Sequence, residues 1–388
     1  MTRNISLLGS TGSIGTNTLE VIRENRDKFR IISLTCGNNL ELISSQIREF
    51  DPDVVSIGSD GGRDKLRSEF PGKKIFSGLE GIMEAVMADE VDTVVTATSG
   101  THAIHATLES IKSGHRICLA NKETLVAAGE LVNAHLSVSD SELIPVDSEQ
   151  SAIFQCISER DREFLQKVII TASGGPFFKL DEKEFSGIKI ADALKHPVWS
   201  MGKKITIDSS TLMNKALEII EAFHLFGLGG DQIDLLIHPQ SIIHSMVEFR
   251  DNSIIAQMGI PDMKIPIRYS LSYPERIESG TGELDLAATG SLDFFEPDSE
   301  KFPSIRMAYD VIREKKNSGL IFNAANEVAV DSFLRGEIPF NGIFYVVQKA
   351  LDTCGREDVR SIDDIVPMIQ QTKSLTSRII KEDRIKME

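Results

Sequence analysis

Short apolar runs alternate with helix-like patterns over the first 150 residues of the chain. Residues 5–8 and 30–35 have the length of buried strands, whereas apolar positions in residues 103–113 and 124–137 recur with helical spacing. Strands and helices that alternate in this way form a parallel, doubly wound α/β sheet of the Rossmann type. The other predicted strands of this sheet are residues 53–57, 91–97, 117–120 and 143–146.

A different pattern follows residue 150, where the predicted strands include an apolar hairpin at residues 241–249 and 254–258. Residues 174–204 lose periodicity and contain the single Trp, which favours a lid loop over a disordered stretch. The fold class predicted is therefore α/β, with a Rossmann-type N-terminal domain, a central α+β domain and C-terminal helices. The predicted boundaries are residues 1–150, residues 151–280 with the lid, a linker at 281–304, and a helical domain at 305–388.

A glycine-rich turn, Gly9 to Gly15, joins the first predicted strand to the first helix. Glycines let a backbone approach a pyrophosphate closely, and the helix start offers free N–H groups to it. The GxxGxxG spacing differs from GxGxxG, so a plain turn of another α/β protein stays an alternative. No acidic residue follows the second strand before Glu41, which favours NADP(H) over NAD(H), although no Arg or Lys is present there either.

Three polar residues, Asp147-Ser148-Glu149, follow the apolar run at residues 143–146. If the strand continues, its side-chain period of two puts both carboxylates on one side, where Mg²⁺ or Mn²⁺ would relieve their repulsion. The alternative is a solvated helix start with Ser148 as N-cap. In a parallel sheet this segment would share one rim with two other polar strand ends, Ser99-Gly100 and Asn121-Lys122-Glu123.

Two further segments suit a phosphate group. Ser173-Gly174-Gly175-Pro176 follows a predicted strand and offers a hydroxyl and bare N–H groups, with a plain turn as the alternative. Residues 208–211 are predicted to cap a helix at 212–226. Asn214 and Lys215 in its first turns suit phosphate, and Glu218 could join the two carboxylates, unless Lys215 and Glu218 form only a solvated ion pair.

The formal charge of −16, from 42 basic and 58 acidic residues, argues against broad binding to nucleic acid or anionic membranes. The four cysteines are widely separated and form no CxxC pair, which indicates a reducing, cytoplasmic compartment and no zinc site. We expect neither a signal peptide nor a membrane span, because the first strand starts at once and no apolar run approaches ~20 residues.

Eight short motifs occur in order along essentially the whole chain, and together they closely resemble the family of 1-deoxy-D-xylulose 5-phosphate reductoisomerases. These motifs are GSTGSIG from Gly9, ANKE from Ala120, PVDSE from Pro145, SGGPF from Ser173, HPxWSMG from His196, DSxTxMNKxLE from Asp208, IHPQS from Ile237 and NAANE from Asn323. The resemblance implies an NADPH domain at 1–150, a central catalytic and dimerisation domain, C-terminal helices, and a homodimer.

The resemblance also implies an activity and residue roles. The family converts 1-deoxy-D-xylulose 5-phosphate into 2-C-methyl-D-erythritol 4-phosphate with NADPH and Mn²⁺, Mg²⁺ or Co²⁺, in non-mevalonate isoprenoid biosynthesis. By motif, the metal ligands would be Asp147, Glu149 and Glu218, and the catalytic residues Lys122, Glu149 and His196. The residues in contact with the substrate would be Lys122, Ser148, Glu149, Ser173, His196, Trp199, Ser209, Asn214, Lys215 and Glu218. The residues in contact with the cofactor would be Thr11, Gly12, Ser13, Ile14, Gly37, Asn38, Asn39, Asn121, Glu123 and Gly202.

One position departs from the family pattern. Members often have Lys or Arg where this chain has Asn38, which implies a weaker hold on the 2′-phosphate of NADPH.

Two alternative functions stay open. Neither of them needs a metal centre built from three carboxylates. The first is another two-domain NAD(P)-dependent dehydrogenase of aspartate-semialdehyde or homoserine type, whose activity would survive a chelator. The second is a non-catalytic nicotinamide sensor, which would bind cofactor without oxidising it.

Overall fold

The structure, a computed structural model, describes residues 2–98, 100–158, 160–195 and 202–387, with side chains to residue 383. Two compact units can be distinguished by their internal packing. The first consists of Met1–Thr124, Val132–Ser151 and Asp262–Gly282, and the second of Leu125–Leu131, Ala152–Pro261 and Glu283–Glu388. The domain boundaries predicted at residues 150, 280 and 304 stay a prediction.

A seven-stranded, fully parallel sheet lies at the centre of the first unit. The strands are β1 (Arg3–Leu8), β2 (Phe29–Cys36), β3 (Val54–Ile57), β4 (Lys74–Ser77), β5 (Thr93–Thr96), β6 (Arg116–Leu119) and β7 (Leu143–Pro145). Their order in the sheet is β4-β3-β2-β1-β5-β6-β7. The order reverses beside β1, which lies between β2 and β5, and this reversal is the switch point at which doubly wound sheets bind nucleotides.

Strand β4 is the one strand of this sheet that the apolar pattern did not predict. It has four residues and lies at the sheet edge, and its first residue, Lys74, is exposed. A short, half-exposed edge strand carries little of the apolar periodicity on which the prediction depended.

Helices cover the sheet and bury the apolar residues of its strands. Leu19 and Ile22 of the first helix pack with Ile5 and Leu34 of the strands in one core, and every one of these side chains is almost fully buried. The helices of this part of the chain are α1 (Ser13–Glu24), α2 (Leu40–Phe50), α3 (Asp60–Glu69), α4 (Gly78–Val86), α5 (Thr101–Lys112), α6 (Glu123–Leu136) and α7 (Ser148–Cys156).

The second unit contains a four-stranded mixed sheet. Its strands are β8 (Leu165–Ala172), β9 (Ile233–Ile237), β10 (Ile243–Phe249) and β11 (Ile254–Met258), and their order in the sheet is β11-β10-β8-β9. β8 and β9 are parallel, and β10 pairs antiparallel with both β8 and β11, so the predicted hairpin is confirmed.

The helices beyond residue 156 complete the architecture, and the predicted fold class is confirmed. The last four of them match the helical periodicity at the end of the chain. They are α8 (Ile190–Ala193), α9 (Lys203–Ser210), α10 (Met213–Phe226), α11 (Lys264–Ser272), α12 (Leu286–Thr289), α13 (Ser304–Glu314), α14 (Ser318–Leu334), α15 (Gly342–Thr353) and α16 (Ile362–Met387). No helix within the described ranges is both long and apolar enough to cross a bilayer.

Two phenylalanines of the predicted lid segment pack against Phe340, which lies between α14 and α15. Phe177 and Phe185 are buried and meet the fully buried Phe340 edge-on, with ring centroids 5.3 and 5.4 Å apart. Such aromatic contacts anchor this part of the segment. Residues 196–201, which include His196 and Trp199, lie outside the described residues.

Candidate active site

The glycine-rich turn lies between β1 and α1, at the switch point of the parallel sheet. Gly9 has a φ of +83°, and a Cβ there would lie 2.4 Å from the carbonyl oxygen of Ala97, so only glycine fits. The Gln46 amide accepts from the Ser10 hydroxyl at 2.7 Å and donates to its carbonyl at 2.9 Å. No local pattern indicates this role of Gln46, because its partner Ser10 lies far away in the chain.

The predicted pyrophosphate contacts remain accessible at this turn. Gly12 and Ser13 are exposed, and Thr11 and Ile14 are half-buried. Gly12 caps α1 without a side-chain hydrogen bond. The first turn of α1 therefore presents its backbone N–H groups as the nucleotide-binding prediction requires.

The polar turn after β2 holds Gly37, Asn38 and Asn39, all exposed. The Asn39 side chain accepts a hydrogen bond from the Leu42 N–H at 3.1 Å and so caps α2. Asn38 offers a neutral amide where a 2′-phosphate would favour a cation. Burial raises the pKa of the neighbouring Cys36 to about 12, which keeps this thiol protonated and unreactive.

The turn after β6 places Asn121, Lys122 and Glu123 at the start of α6. Asn121 accepts from the N–H and hydroxyl of Thr124 and donates to Glu123 at 3.0 Å. Lys122 is only 5% exposed and forms an ion pair with the half-buried Asp147. A buried ammonium needs such a partner, since an unpaired charge in this environment is costly.

The Asp147-Ser148-Glu149 segment begins a helix, so the prediction that the strand continues through it was wrong. β7 ends at Pro145, α7 begins at Ser148, and the Asp147 carbonyl accepts from the Ser151 N–H at 2.8 Å. The strand was predicted too long because the apolar run continues to Val146, one residue beyond the end of β7. Within the turn, Ser148 donates from Oγ to Glu149 at 2.6 Å and from its N–H to Asp147 at 3.1 Å. The helix-start alternative was right about the backbone.

Glu218, fully buried on α10, completes the predicted carboxylate group. One ligand oxygen each from Asp147, Glu149 and Glu218 lie within 4.8 Å of one another. Ligands in an octahedral shell of radius about 2.1 Å are separated by about 3.0 to 4.2 Å, so small adjustments would bring all three onto one ion. Three carboxylate oxygens without sulfur or imidazole suit Mg²⁺ or Mn²⁺. The residues present therefore fit a hard divalent cation.

Residues 208–211 do not cap a single long helix, which corrects the prediction for this segment. Asp208, Ser209 and Ser210 form the last turn of α9, and Leu212, in the left-handed region at φ 55°, separates it from α10. The run of small polar residues resembled an N-cap because Ser, Thr and Asp favour both caps and helix breaks. Leu212 itself provides no side-chain cap for α10.

Ser209 differs from the two hydroxyl residues that follow it. The hydroxyls of Ser210 and Thr211 donate to the Ile207 carbonyl at 2.8 and 2.9 Å. The Ser209 hydroxyl makes no hydrogen bond to any residue that the structure describes. A Cβ on Gly175, which has a φ of +64°, would lie 2.7 Å from the Ser209 carbonyl oxygen, so the Ser173–Pro176 turn packs directly on Ser209.

Asn214 and Lys215 both bond Glu218 through its two carboxylate oxygens. The Asn214 amide donates to Oε1, and the almost fully buried Lys215 donates from Nζ to Oε2 at 2.7 Å. The solvated-ion-pair alternative is therefore wrong. Gly202 is exposed and precedes α9, while the predicted lid residues His196 and Trp199 lie beyond the described residues.

Comparisons with known proteins agree with these features. Three family models match the chain: 1-deoxy-D-xylulose 5-phosphate reductoisomerase at residues 5–129, its C-terminal domain at 143–226, and the DXP reductoisomerase C-terminal domain at 258–375. A reductoisomerase of Halalkalibacterium halodurans is 46% identical over 98% of this chain and 100% of its own. One from Prosthecochloris aestuarii is 48% identical over 90% of this chain and 92% of its own.

Solved structures match over nearly the full length as well. The reductoisomerase of Zymomonas mobilis in complex with NADPH has a TM-score of 0.94 at 36% identity and covers 98% of this chain and 100% of its own. A reductoisomerase bound to NADPH, fosmidomycin and magnesium has a TM-score of 0.91 at 37% identity and covers 98% of each chain. The chain belongs to the 1-deoxy-D-xylulose 5-phosphate reductoisomerase family.

Proposed function

We propose that this protein catalyses the reaction of its family, the rearrangement and NADPH-dependent reduction of 1-deoxy-D-xylulose 5-phosphate to 2-C-methyl-D-erythritol 4-phosphate in non-mevalonate isoprenoid biosynthesis. The observation that carries the proposal is the convergence of Asp147, Glu149 and Glu218 within 4.8 Å, in a chain whose relatives bind NADPH and magnesium. A dehydrogenase without metal chemistry, or a sensor, has no use for this group of carboxylates.

The three carboxylates would hold the cation, and Lys122 would balance part of their charge through Asp147. When bound, a divalent cation polarises the substrate's ketone oxygen as a Lewis acid, and NADPH supplies the hydride that reduces the rearranged aldehyde. Lys122 and Ser148 lie beside this group and would contact and orient the substrate's oxygens.

The phosphate of the substrate would be held by Ser173, Ser209, Asn214 and Lys215. Support comes from the packing of the Ser173–Pro176 turn on Ser209 and from the uncommitted Ser209 hydroxyl. The ammonium group of Lys215 would bind the phosphate, and it also compensates the negative charge of Glu218. Phosphate binding and metal binding would therefore both depend on this one side chain. Holding this remote group would orient the reacting carbons and help His196 and Trp199, as lid residues, to exclude water.

The cofactor would lie along the turn after β1, the turn after β2 and the start of α6. The accessible α1 N-terminus supports pyrophosphate binding there. The contacts would be the predicted set, Thr11, Gly12, Ser13, Ile14, Gly37, Asn38, Asn39, Asn121, Glu123 and Gly202. The neutral Asn38 would give the 2′-phosphate a weaker hold than a cationic residue.

A homodimer would form through the outer face of the four-stranded sheet. β11 is an edge strand, and its Ile254 and Ile255 are 53% and 47% exposed. Ile169, Ile243 and Met246 form a small apolar cluster of their own, separate from the main core. An exposed apolar edge strand can bind a second copy of the chain.

We place the protein in the cytoplasm, since all four cysteines are free thiols.

The direct test follows NADPH absorbance with 1-deoxy-D-xylulose 5-phosphate, with and without Mn²⁺. Oxidation of NADPH that requires both the ketose phosphate and the metal, and that stops with a chelator, is the expected result. Oxidation that survives a chelator would point to an ordinary dehydrogenase. Cofactor binding with no oxidation would leave the sensor as the better account.

A further inference from the structure

Asp208 directly precedes Ser209 and is 1% exposed in the last turn of α9. This is an unfavourable place for a carboxylate, because the C-terminal end of a helix carries partial negative charge. The neighbouring Ser209 is also the proposed phosphate contact, and an unscreened carboxylate so close would repel an anionic substrate. The presence of Asp208 at this position therefore needs a physical explanation.

Two partners hold the Asp208 carboxylate, one on each oxygen. Asn326, fully buried on α14, donates from Nδ2 to Oδ1 at 2.8 Å. Lys204, in the first turn of α9, donates from Nζ to Oδ2 at 2.8 Å. Lys204 supplies the opposite charge, and Asn326 connects the turn that carries Ser209 to a helix more than a hundred residues further along the chain.

The Asn326 amide is oriented toward this one bond. A carboxylate can only accept, so the nitrogen of the amide must face Asp208. Its own Oδ1 is buried and accepts no hydrogen bond from the described residues. An apolar residue would avoid that unfavourable state, and the amide's contribution is therefore the hydrogen bond to Asp208. A second tether is nearby, since Ser304 of α13 donates to the Thr211 carbonyl at 2.9 Å.

We infer that Asp208 and Asn326 are positioning residues for substrate binding: their hydrogen bond fixes the last turn of α9 so that Ser209 faces the substrate's phosphate. The inference rests on the proposed function of Ser209. Neither residue touches substrate, and the pair acts by holding backbone in place. Its loss should weaken phosphate binding while leaving the cofactor site and the chemical step unaffected.

The test compares Asn326→Leu with Asn323→Leu, a matched control. Asn323 is also a buried asparagine of α14, but its amide donates to Glu327 of the same helix at 3.2 Å. For Asn326→Leu we expect the KM for 1-deoxy-D-xylulose 5-phosphate and the inhibition constant of inorganic phosphate both to rise about tenfold, the range of one charge-assisted hydrogen bond. The kcat and the KM for NADPH should stay within about twofold, as should every constant of the control.

A second variant covers the case in which Asn326→Leu does not fold. The exchange Asp208→Asn with Asn326→Asp reverses donor and acceptor while keeping the hydrogen bond, so it should keep the substrate KM within about threefold of the wild type. An unchanged substrate KM in Asn326→Leu, an equal rise in the control, or a tenfold rise in the folded exchange variant would each overturn the inference. Wild-type protein that does not oxidise NADPH would instead refute the proposed function.

Discussion

Lys215 donates from Nζ to Oε2 of Glu218 over 2.7 Å, and both side chains are almost fully buried. One turn of α10 thus joins a proposed phosphate contact to a proposed metal ligand. A buried pair of this kind is stable only while both members are present, because removal of either leaves an uncompensated charge. The two binding functions are therefore expected to respond together to changes at Glu218.

Replacing Glu218 or Glu149 by Gln should lower metal-dependent turnover by about two orders of magnitude or more, because one anionic ligand of the Lewis-acid site is lost. NADPH binding, measured by fluorescence, should be nearly unchanged. Glu130→Gln removes an exposed carboxylate from α6 and provides the charge control. Near-normal turnover in either ligand variant would show that the metal assignment is wrong.

Ser209→Ala should raise the KM for the ketose phosphate about tenfold, since an uncommitted hydroxyl is removed from the phosphate. Ser210→Ala is the matched control, because its hydroxyl is already used by the Ile207 carbonyl. That variant should lose some thermal stability and keep its KM. Initial-rate kinetics at saturating NADPH separate the two, and equal KM values would place the phosphate elsewhere.

Asn38→Arg should shift cofactor preference toward NADPH. The guanidinium can bond a 2′-phosphate, and an exposed charge pair of this kind is worth about 1 kcal/mol, or roughly fivefold in kcat/KM for NADPH. The corresponding value for NADH should change little. A variant that improves both cofactors equally, or neither, would show that position 38 does not face the 2′-phosphate.

Burial, with a smaller effect from Lys315, lowers the pKa of His224 to about 4, below the ordinary value of 6.5. Between these values the unfolded chain binds a proton that the folded protein does not. The stability is therefore complete above pH 6.5 and declines as the pH falls toward 4, by about 2 kcal/mol at pH 5. Urea unfolding at pH 5 and at a pH above 6.5, for the wild type and for His224→Asn, measures this difference in the free energy of unfolding.

The His224→Asn variant should lack that part of the pH dependence, with the carboxylates contributing equally to both proteins. In the wild type the His224 ring is in close contact with α6, because a Cβ on Gly129 would lie 2.3 Å from the imidazole. A protonated ring would therefore need solvent that this packing excludes. An identical pH dependence in both proteins would contradict the assigned cause.

Local patterns predicted much of the fold, and the exceptions have physical causes. Six of the seven parallel strands have apolar runs long enough to detect, whereas the edge strand β4 does not. The segment around Ser209 and Leu212 resembled a helix cap, although Leu212 breaks the chain into two helices at a positive φ. The carboxylates of residues 147 and 149 were paired on a strand that in fact ends at Pro145.

The sequence by itself determined the alternation of strands and helices, the glycine turn and the types of residue available for metal and phosphate. These features depend on interactions within a strand or a helical turn, which a local pattern expresses. Only the tertiary structure decided that Glu218 joins Asp147 and Glu149, that Gln46 supports Ser10, and that Asn326 holds Asp208. Each of these contacts joins residues far apart in the chain, so it depends on how whole elements pack and not on local spacing.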